Sequence, residues 1–208
     1  MKVHTLVVGS CLLVLAFASQ AANLELPETE AALGELLFHD VNLSANRTQA
    51  CASCHDPNYA FADPRGMASP GDDGVSLGDR NAPTAAYAAL TPPFHRSEEG
   101  EWFGGQFLDG RASTLADQAG GPPLSPVEMG MPDTAAVMAR LQENPVYEGA
   151  FPAIYGPDIW HSADQAFAAM TQALAAFEQT DLFAPFDSKY DRFLRGEVEF
   201  TKEEELGR

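Results

Sequence analysis

Residues 49–57 read Gln-Ala-Cys-Ala-Ser-Cys-His-Asp-Pro (QACASCHDP) and contain the pattern Cys-x-x-Cys-His. In this arrangement the thiols of Cys51 and Cys54 can reach one edge of the same haem, while the adjacent imidazole of His55 meets the iron. This spacing is typical of the covalent attachment of a c-type haem. It predicts one haem c held by both thiols, with His55 as the proximal iron ligand.

Two other interpretations of this stretch were weighed. A zinc knuckle needs a second pair of ligands, and the chain has no further Cys-x-x-Cys pair to provide it. A thioredoxin-like dithiol would use both thiols but would not need His55. Haem attachment accounts for the two thiols and the imidazole together.

The N-terminal residues 1–22 are predicted to be a secretory signal peptide. Met1 and Lys2 precede an apolar run over residues 6–18, and small residues follow it around 19–22. The run is shorter than the roughly 20 residues of a membrane-spanning helix, so a membrane anchor is the weaker interpretation. We expect cleavage after Ala21 or Ala22, loss of Cys11 with the signal, and a periplasmic protein without a membrane span.

The formal net charge of −18 argues against nucleic acid and anionic membranes as partners. A basic redox partner would be attracted to such a surface, although solubility alone would also account for the charge. The composition therefore narrows the class of partner without specifying any chemistry.

The fold is predicted to be mostly α, a c-type cytochrome domain with long ordered loops wrapped around a covalent haem. Residues 56–93 are rich in Gly, Pro, Asp and Asn and are predicted to form a long ordered loop. No convincing pair of strands is present. Helices are predicted over 27–38, 133–142, 144–154 and 164–180.

Helical spacing also predicts which side chains are buried. In the first helix it places Leu33, Leu36 and Leu37 on an apolar face. In the last of the predicted helices it places Phe167, Met170, Leu174 and Phe177 in the core.

The sixth coordination position of the iron decides the function, because a strong protein ligand there makes an electron carrier and an open position allows peroxide to bind. The sequence does not rank the candidates, and for each of them a surface or core location is an alternative. The candidate ligands are His39, His95, His161, Met67, Met129, Met131, Met138 and Met170.

The mature chain resembles the N-terminal haem domain of the bacterial di-haem cytochrome c peroxidase and MauG family. Each matching motif is weak alone, but together and in order they are specific. They are 33–38 (LGELLF), 42–44 (NLS), 51–57 (CASCHDP), 80–84 (RNAPT), 105–112 (GQFLDGRA), 115–119 (LADQA), 126–129 (PVEM), 186–187 (FD) and 190–191 (YD).

The resemblance implies a peroxidatic haem whose distal side carries Gln118 and Glu128. Heterolysis of hydrogen peroxide needs a proton taken from one oxygen and delivered to the other, which a carboxyl can relay. Glu128 is assigned this role and Gln118 the orientation of peroxide. Pro122 and Met129 are expected to shape the same pocket. Without the resemblance, Glu128 would be interpreted as a solvated loop acid.

Three further expectations follow from the resemblance. Asn81 matches a residue that supports a calcium ion, although a turn residue is the alternative interpretation. Residues 69–74 (SPGDDG) contain no histidine where reductively activated relatives have an iron ligand, so an open iron is expected. Leu108 stands where relatives commonly carry a tryptophan between two haems, which puts electron transfer between haems in doubt.

The expected organisation is a haem domain over 23–200 followed by the start of a second haem domain over 201–208. Hydrogen peroxide is the expected substrate, with electrons from a small cytochrome c or cupredoxin, or with MauG-like oxidation of a protein side chain. A homodimer is a candidate oligomeric state. The alternative function is a mono-haem electron carrier without peroxidase activity.

Overall fold

The computed structural model describes residues 25–208, so the predicted signal peptide lies outside the described residues. Within this range the fold is mostly helical, as predicted, with long connecting loops. The helices are α1 Glu30–Phe38, α2 Cys51–Cys54, α3 Leu115–Ala119, α4 Gly121–Leu124, α5 Thr134–Gln142, α6 Pro145–Tyr155, α7 Ala163–Glu178, α8 Lys189–Leu194 and α9 Lys202–Gly207. Short 3₁₀ turns occupy Val41–Leu43, Pro57–Tyr59, Ala88–Leu90 and Ile159–His161.

Helix α7 is the centre of the fold, and α1, α3, α5 and α6 all pack against it. Its contact with α1 is close because Gly34 has no side chain. A Cβ atom built on Gly34 would lie only 2.0 Å from the carbonyl oxygen of Ala173. The two helix backbones can therefore approach each other only at a glycine.

The helices begin where polar side chains cap them. Thr29 accepts a hydrogen bond from the backbone N–H of Ala32, so α1 starts at Glu30 and not at Pro27 as predicted. Asp133, Asn144 and Ser162 cap α5, α6 and α7 in the same way, within two residues of the predicted starts.

The core confirms most of the predicted apolar faces. Leu33, Leu37 and Met170 are fully buried, and Leu174 and Phe177 nearly so, whereas Phe167 is partly buried. Leu36 was placed on the wrong face, because 43% of its surface is exposed. In a nine-residue helix with three leucines, only the packing partner decides which two are covered.

The prediction that no strands pair was also wrong. Strand β1 (His95–Arg96) pairs antiparallel with β2 (Trp102–Phe103) in a short hairpin. Its strands have only two residues each and are flanked by Pro and Gly, so they show no recognisable alternation of polar and apolar residues. In the part of the chain that is described, no helix is long and apolar enough to cross a bilayer.

Candidate functional site

Helix α2 carries both motif cysteines and ends at His55, and all three side chains line one cleft. The Ser53 hydroxyl accepts a hydrogen bond from the Ala50 N–H (3.0 Å), which holds the first turn of this short helix. The cleft, its open mouth included, has a volume of about 1230 Å³. Cys51 and Cys54 are not disulfide-bonded. The cleft thus offers two free thiols and an imidazole to the same ligand.

The orientation of the imidazole suits a metal ligand. The Nδ1 atom of His55 lies 3.0 Å from the carbonyl oxygen of Phe61. Since a carbonyl oxygen only accepts, Nδ1 carries the proton and Nε2 keeps its lone pair. Burial lowers the pKa of His55, which favours the neutral ring that metals bind.

The cysteine thiols are held in their neutral form. Burial, with the nearby charges of Glu178 and Cys54, raises the pKa of Cys51 to about 12. Burial also raises the pKa of Cys54, whose sulfur accepts N–H groups of Gln49 and Arg65, both at 3.4 Å. Disulfide exchange needs a thiolate, so these buried thiols are poorly suited to it. Among residues 25–208 no group of three His, Cys, Asp or Glu side chains is placed to hold a metal ion.

Gln118 and Glu128 line the same cleft as His55. Gln118 lies in α3, which starts at a capping box between Thr114 and Asp117. Glu128 lies in a turn closed by its own N–H donating to Ser125 O (3.1 Å). Both side chains are half-buried, and Pro122 and Met129 also belong to the lining, as expected.

The histidine-free loop over 69–74 is hydrogen-bonded through Asp72 to two other segments of the chain. The backbone N–H of Asp72 donates to Glu128 O (2.7 Å). The carboxylate of Asp72 accepts the N–H of Asn46 and the hydroxyl of Thr48, both at 2.6 Å. Asp72 is buried; burial raises its pKa, but hydrogen bonds with Ser44, Thr48 and Asn46 outweigh this effect and lower it. The loop therefore joins the Glu128 turn to the segment before the haem motif.

Of the candidate sixth ligands, Met129 is in the lining of the cleft and the others are not. Met67 and His161 are strongly exposed, and His95 Nδ1 donates to the carbonyl oxygen of Pro93 (2.8 Å) beside the hairpin. His39 caps α1 at an exposed position, Met131 and Met170 are buried in the core, and Met138 is partly buried.

The rim of the cleft carries charged and apolar residues. Asn81 is exposed there, and Leu108 exposes 62% of its surface. Arg80 and Arg111 are the cationic side chains of the described lining, and both pair with Asp109 (2.8 and 2.9 Å). The hydrogen bonds from Arg111 and Arg80 lower the pKa of Asp109 to about 2. The rim thus presents guanidinium groups to an anionic ligand.

Sequence reasoning missed Glu178, a buried acid at the end of α7 that also lines the cleft. Only 8% of its surface is exposed, and burial raises its pKa to about 7. It follows Leu174 by one helical turn. An acid on the apolar face of the best-defined helix is a signal that could have revealed it.

Replacing Glu178 with glutamine should alter how stability depends on pH. In the parent, the unfolded chain releases this proton near pH 4.5 and the folded chain near 7, so stability falls as pH rises between these values and levels off above 7. The shift corresponds to about 3 kcal/mol. Urea unfolding at pH 4 to 8 should show that Glu178→Gln lacks this decline, while Glu148→Gln on the surface of α6 keeps it. A decline of equal size in Glu178→Gln would contradict the prediction.

Together, the helical fold and the Cys-x-x-Cys-His cleft define the class of c-type haem domains. A family model described as di-haem cytochrome c peroxidase matches residues 28–199. The chain belongs to this family.

Individual relatives agree with this assignment. The chain is 57% identical to the methylamine utilization protein MauG of Paracoccus denitrificans, over 85% of this chain and 47% of the relative. It is 38% identical to the cytochrome c peroxidase Ccp of Escherichia coli, over 81% of this chain and 31% of the relative. The solved diheme peroxidase BthA of Burkholderia thailandensis superposes with a TM-score of 0.81 at 34% identity, covering 88% of this chain and 46% of that one. The chain thus spans about half or less of these relatives.

Proposed function

We propose that this chain is a haem domain that reduces hydrogen peroxide, and that its haem is attached through Cys51 and Cys54 with His55 as axial ligand. The observation that carries the proposal is a single cleft lined by the attachment motif and by Gln118 and Glu128. The haem fits the residues present: neutral thiols, an imidazole with Nε2 available, and two arginines at the rim for its carboxylates. A bound haem supplies the redox chemistry that accepts the oxygen of peroxide.

The protein contributes proton transfer and orientation. Glu128 takes the proton from one peroxide oxygen on a carboxylate oxygen and returns it to the other, so that water can leave. Gln118 orients peroxide with its amide, which can both donate and accept. The Asp72 loop holds the backbone of Glu128 in place for this exchange.

Electrons are proposed to come from a small cytochrome c or cupredoxin, either directly or through a second haem domain. The acidic surface favours a basic donor. Oxidation of a protein side chain, which the resemblance to the MauG family implies, belongs to the same proposal. We place the protein in the periplasm, with Asn81 as a candidate calcium ligand.

An absorption spectrum of the haem-loaded protein tests the proposal. We expect a high-spin ferric spectrum that changes on addition of hydrogen peroxide and of cyanide. A low-spin spectrum that neither reagent alters would refute the proposal and favour the electron carrier.

Met129 gives a sharper test, because it is the candidate sixth ligand in the lining of the cleft. With an open iron, Met129→Leu should keep the ferric absorption bands of the parent, since leucine fills a similar volume without a sulfur ligand. Conversion of a low-spin parent into a high-spin variant would instead identify Met129 as the ligand. Met131→Leu, a buried methionine outside the cleft, is the matched control.

A further inference from the structure

The turn that follows the haem motif contains two successive residues in the left-handed backbone region. Ala60 has φ +53° and Phe61 has φ +58°. A Cβ atom makes this conformation unfavourable, and neither residue is a glycine. Such a pair persists only where surrounding contacts hold it, and strained residues cluster at functional sites.

The ring of Phe61 provides these contacts. It stacks on Phe183 with centroids 4.1 Å apart and meets the edge of Phe38 at 6.4 Å. Phe61 is 6% exposed and Phe183 is 1% exposed, so the stack is part of the core. The Thr84 hydroxyl also donates to the Ala60 carbonyl. Rotating the turn out of the left-handed region would pull a buried ring from its stack.

The strained turn directs one backbone oxygen at the imidazole. Phe61 O lies 3.0 Å from His55 Nδ1 and also accepts the N–H of Ala85 (3.1 Å). The direction of a carbonyl is set by the dihedral angles of its residue, so a relaxed turn would aim it elsewhere. The partner of Nδ1 fixes the tautomer and the rotation of a ligating imidazole and raises its basicity.

We propose that Phe61 is a positioning residue for the proximal ligand: its stacked ring holds a left-handed turn that keeps its carbonyl on His55 Nδ1. The inference rests on the proposed attachment of haem at His55, but it does not require the peroxidase activity. In this proposal the apolar side chain of Phe61 controls how strongly the imidazole of His55 donates electrons to the iron.

The test compares Phe61→Ala with Phe61→Gly in the haem-loaded protein. Both variants lose the ring, but only alanine retains the penalty of the left-handed conformation. The readout is the rate at which the His55 Nδ1 proton exchanges with solvent, followed by NMR through its haem-shifted resonance. We expect exchange in Phe61→Ala to be roughly 5- to 30-fold faster than in Phe61→Gly, with the glycine variant closer to the parent.

A second variant, Phe183→Leu, removes the stack without touching the turn and should also accelerate exchange. It takes the place of Phe61→Ala in the test if that variant is produced without covalently attached haem. Phe193→Ala, which breaks the stack of Phe193 in α8 on Phe200 in the segment after it (4.3 Å), is the control and should exchange like the parent.

The inference is overturned if exchange in Phe61→Ala and Phe61→Gly is equally fast, or if Phe183→Leu matches the parent. The readout stays available whether the iron is open or carries a sixth ligand. A parent that is inert to peroxide would therefore refute the peroxidase proposal alone, whereas a parent without covalent haem would refute both.

Discussion

Glu128→Gln should slow the cleavage of hydrogen peroxide by about 100- to 10,000-fold, the range contributed by a positioned general acid and base. Glutamine keeps the shape of the side chain and its hydrogen-bonding capacity, but it cannot take up a proton and return it. The backbone link from Asp72 to Glu128 O does not involve the side chain and should survive the substitution. Haem attachment should be unchanged because the motif residues are untouched.

The measurement is the stopped-flow rate of the spectral change on mixing ferric protein with peroxide, at equal haem content. Glu35→Gln, an exposed substitution on α1, is the control and should react like the parent. A Glu128→Gln variant that reacts as fast as the parent would show that another group relays the proton. Glu178 would then be the next residue to test, since it lies in the same cleft.

Gly34→Ala should destabilise the protein by about 3 kcal/mol, the upper part of the range for overpacked cores. The added methyl group would meet Ala173 O at 2.0 Å and Phe177 Cβ at 2.8 Å. A backbone carbonyl inside a helix cannot turn aside, so α1 and α7 must separate. For a chain of this size the melting temperature should fall by about 6 to 12 °C.

Gly66→Ala is the matched control, because a Cβ atom there would come no closer than 3.9 Å to its neighbours. Thermal unfolding of both variants, followed by circular dichroism, checks the prediction. A Gly34→Ala protein with the same melting temperature as the parent would show that α1 and α7 can shift without a loss of stability. Since α7 also carries Leu174 and Glu178 into the cleft, we expect the same variant to disturb the lining of the cleft.

The predicted helices over 133–142, 144–154 and 164–180 agree with α5, α6 and α7 because each combines a capping side chain with an apolar period, and both signals are local. Tertiary packing, and not the local sequence, decided which leucines of α1 are buried and where a hairpin forms. Leu36 and Leu37 are adjacent and chemically identical, yet the contact with α7 buries only Leu37. The β1–β2 hairpin is too short to produce a pattern.

The residues of the candidate site also fall into two groups, those that were predicted from the sequence and those that only the structure revealed. The resemblance named Gln118 and Glu128, and the structure brings both into the cleft with His55. Glu178 and Phe61 were not named, because no rule of spacing links them to the motif. One is an acid on an apolar helix face, and the other acts through a backbone oxygen that any residue possesses.

By itself, the sequence determined that two thiols and an imidazole come together, because Cys-x-x-Cys-His needs only one helical turn to do so. Only the tertiary structure decided what surrounds them, since Glu128, Glu178 and the Phe183 ring that stacks on Phe61 come from segments far from the motif in the chain. The physical reason is the separation along the chain over which each interaction works. A hydrogen-bonded turn joins residues that are a few positions apart, whereas burial depends on which distant helices pack together.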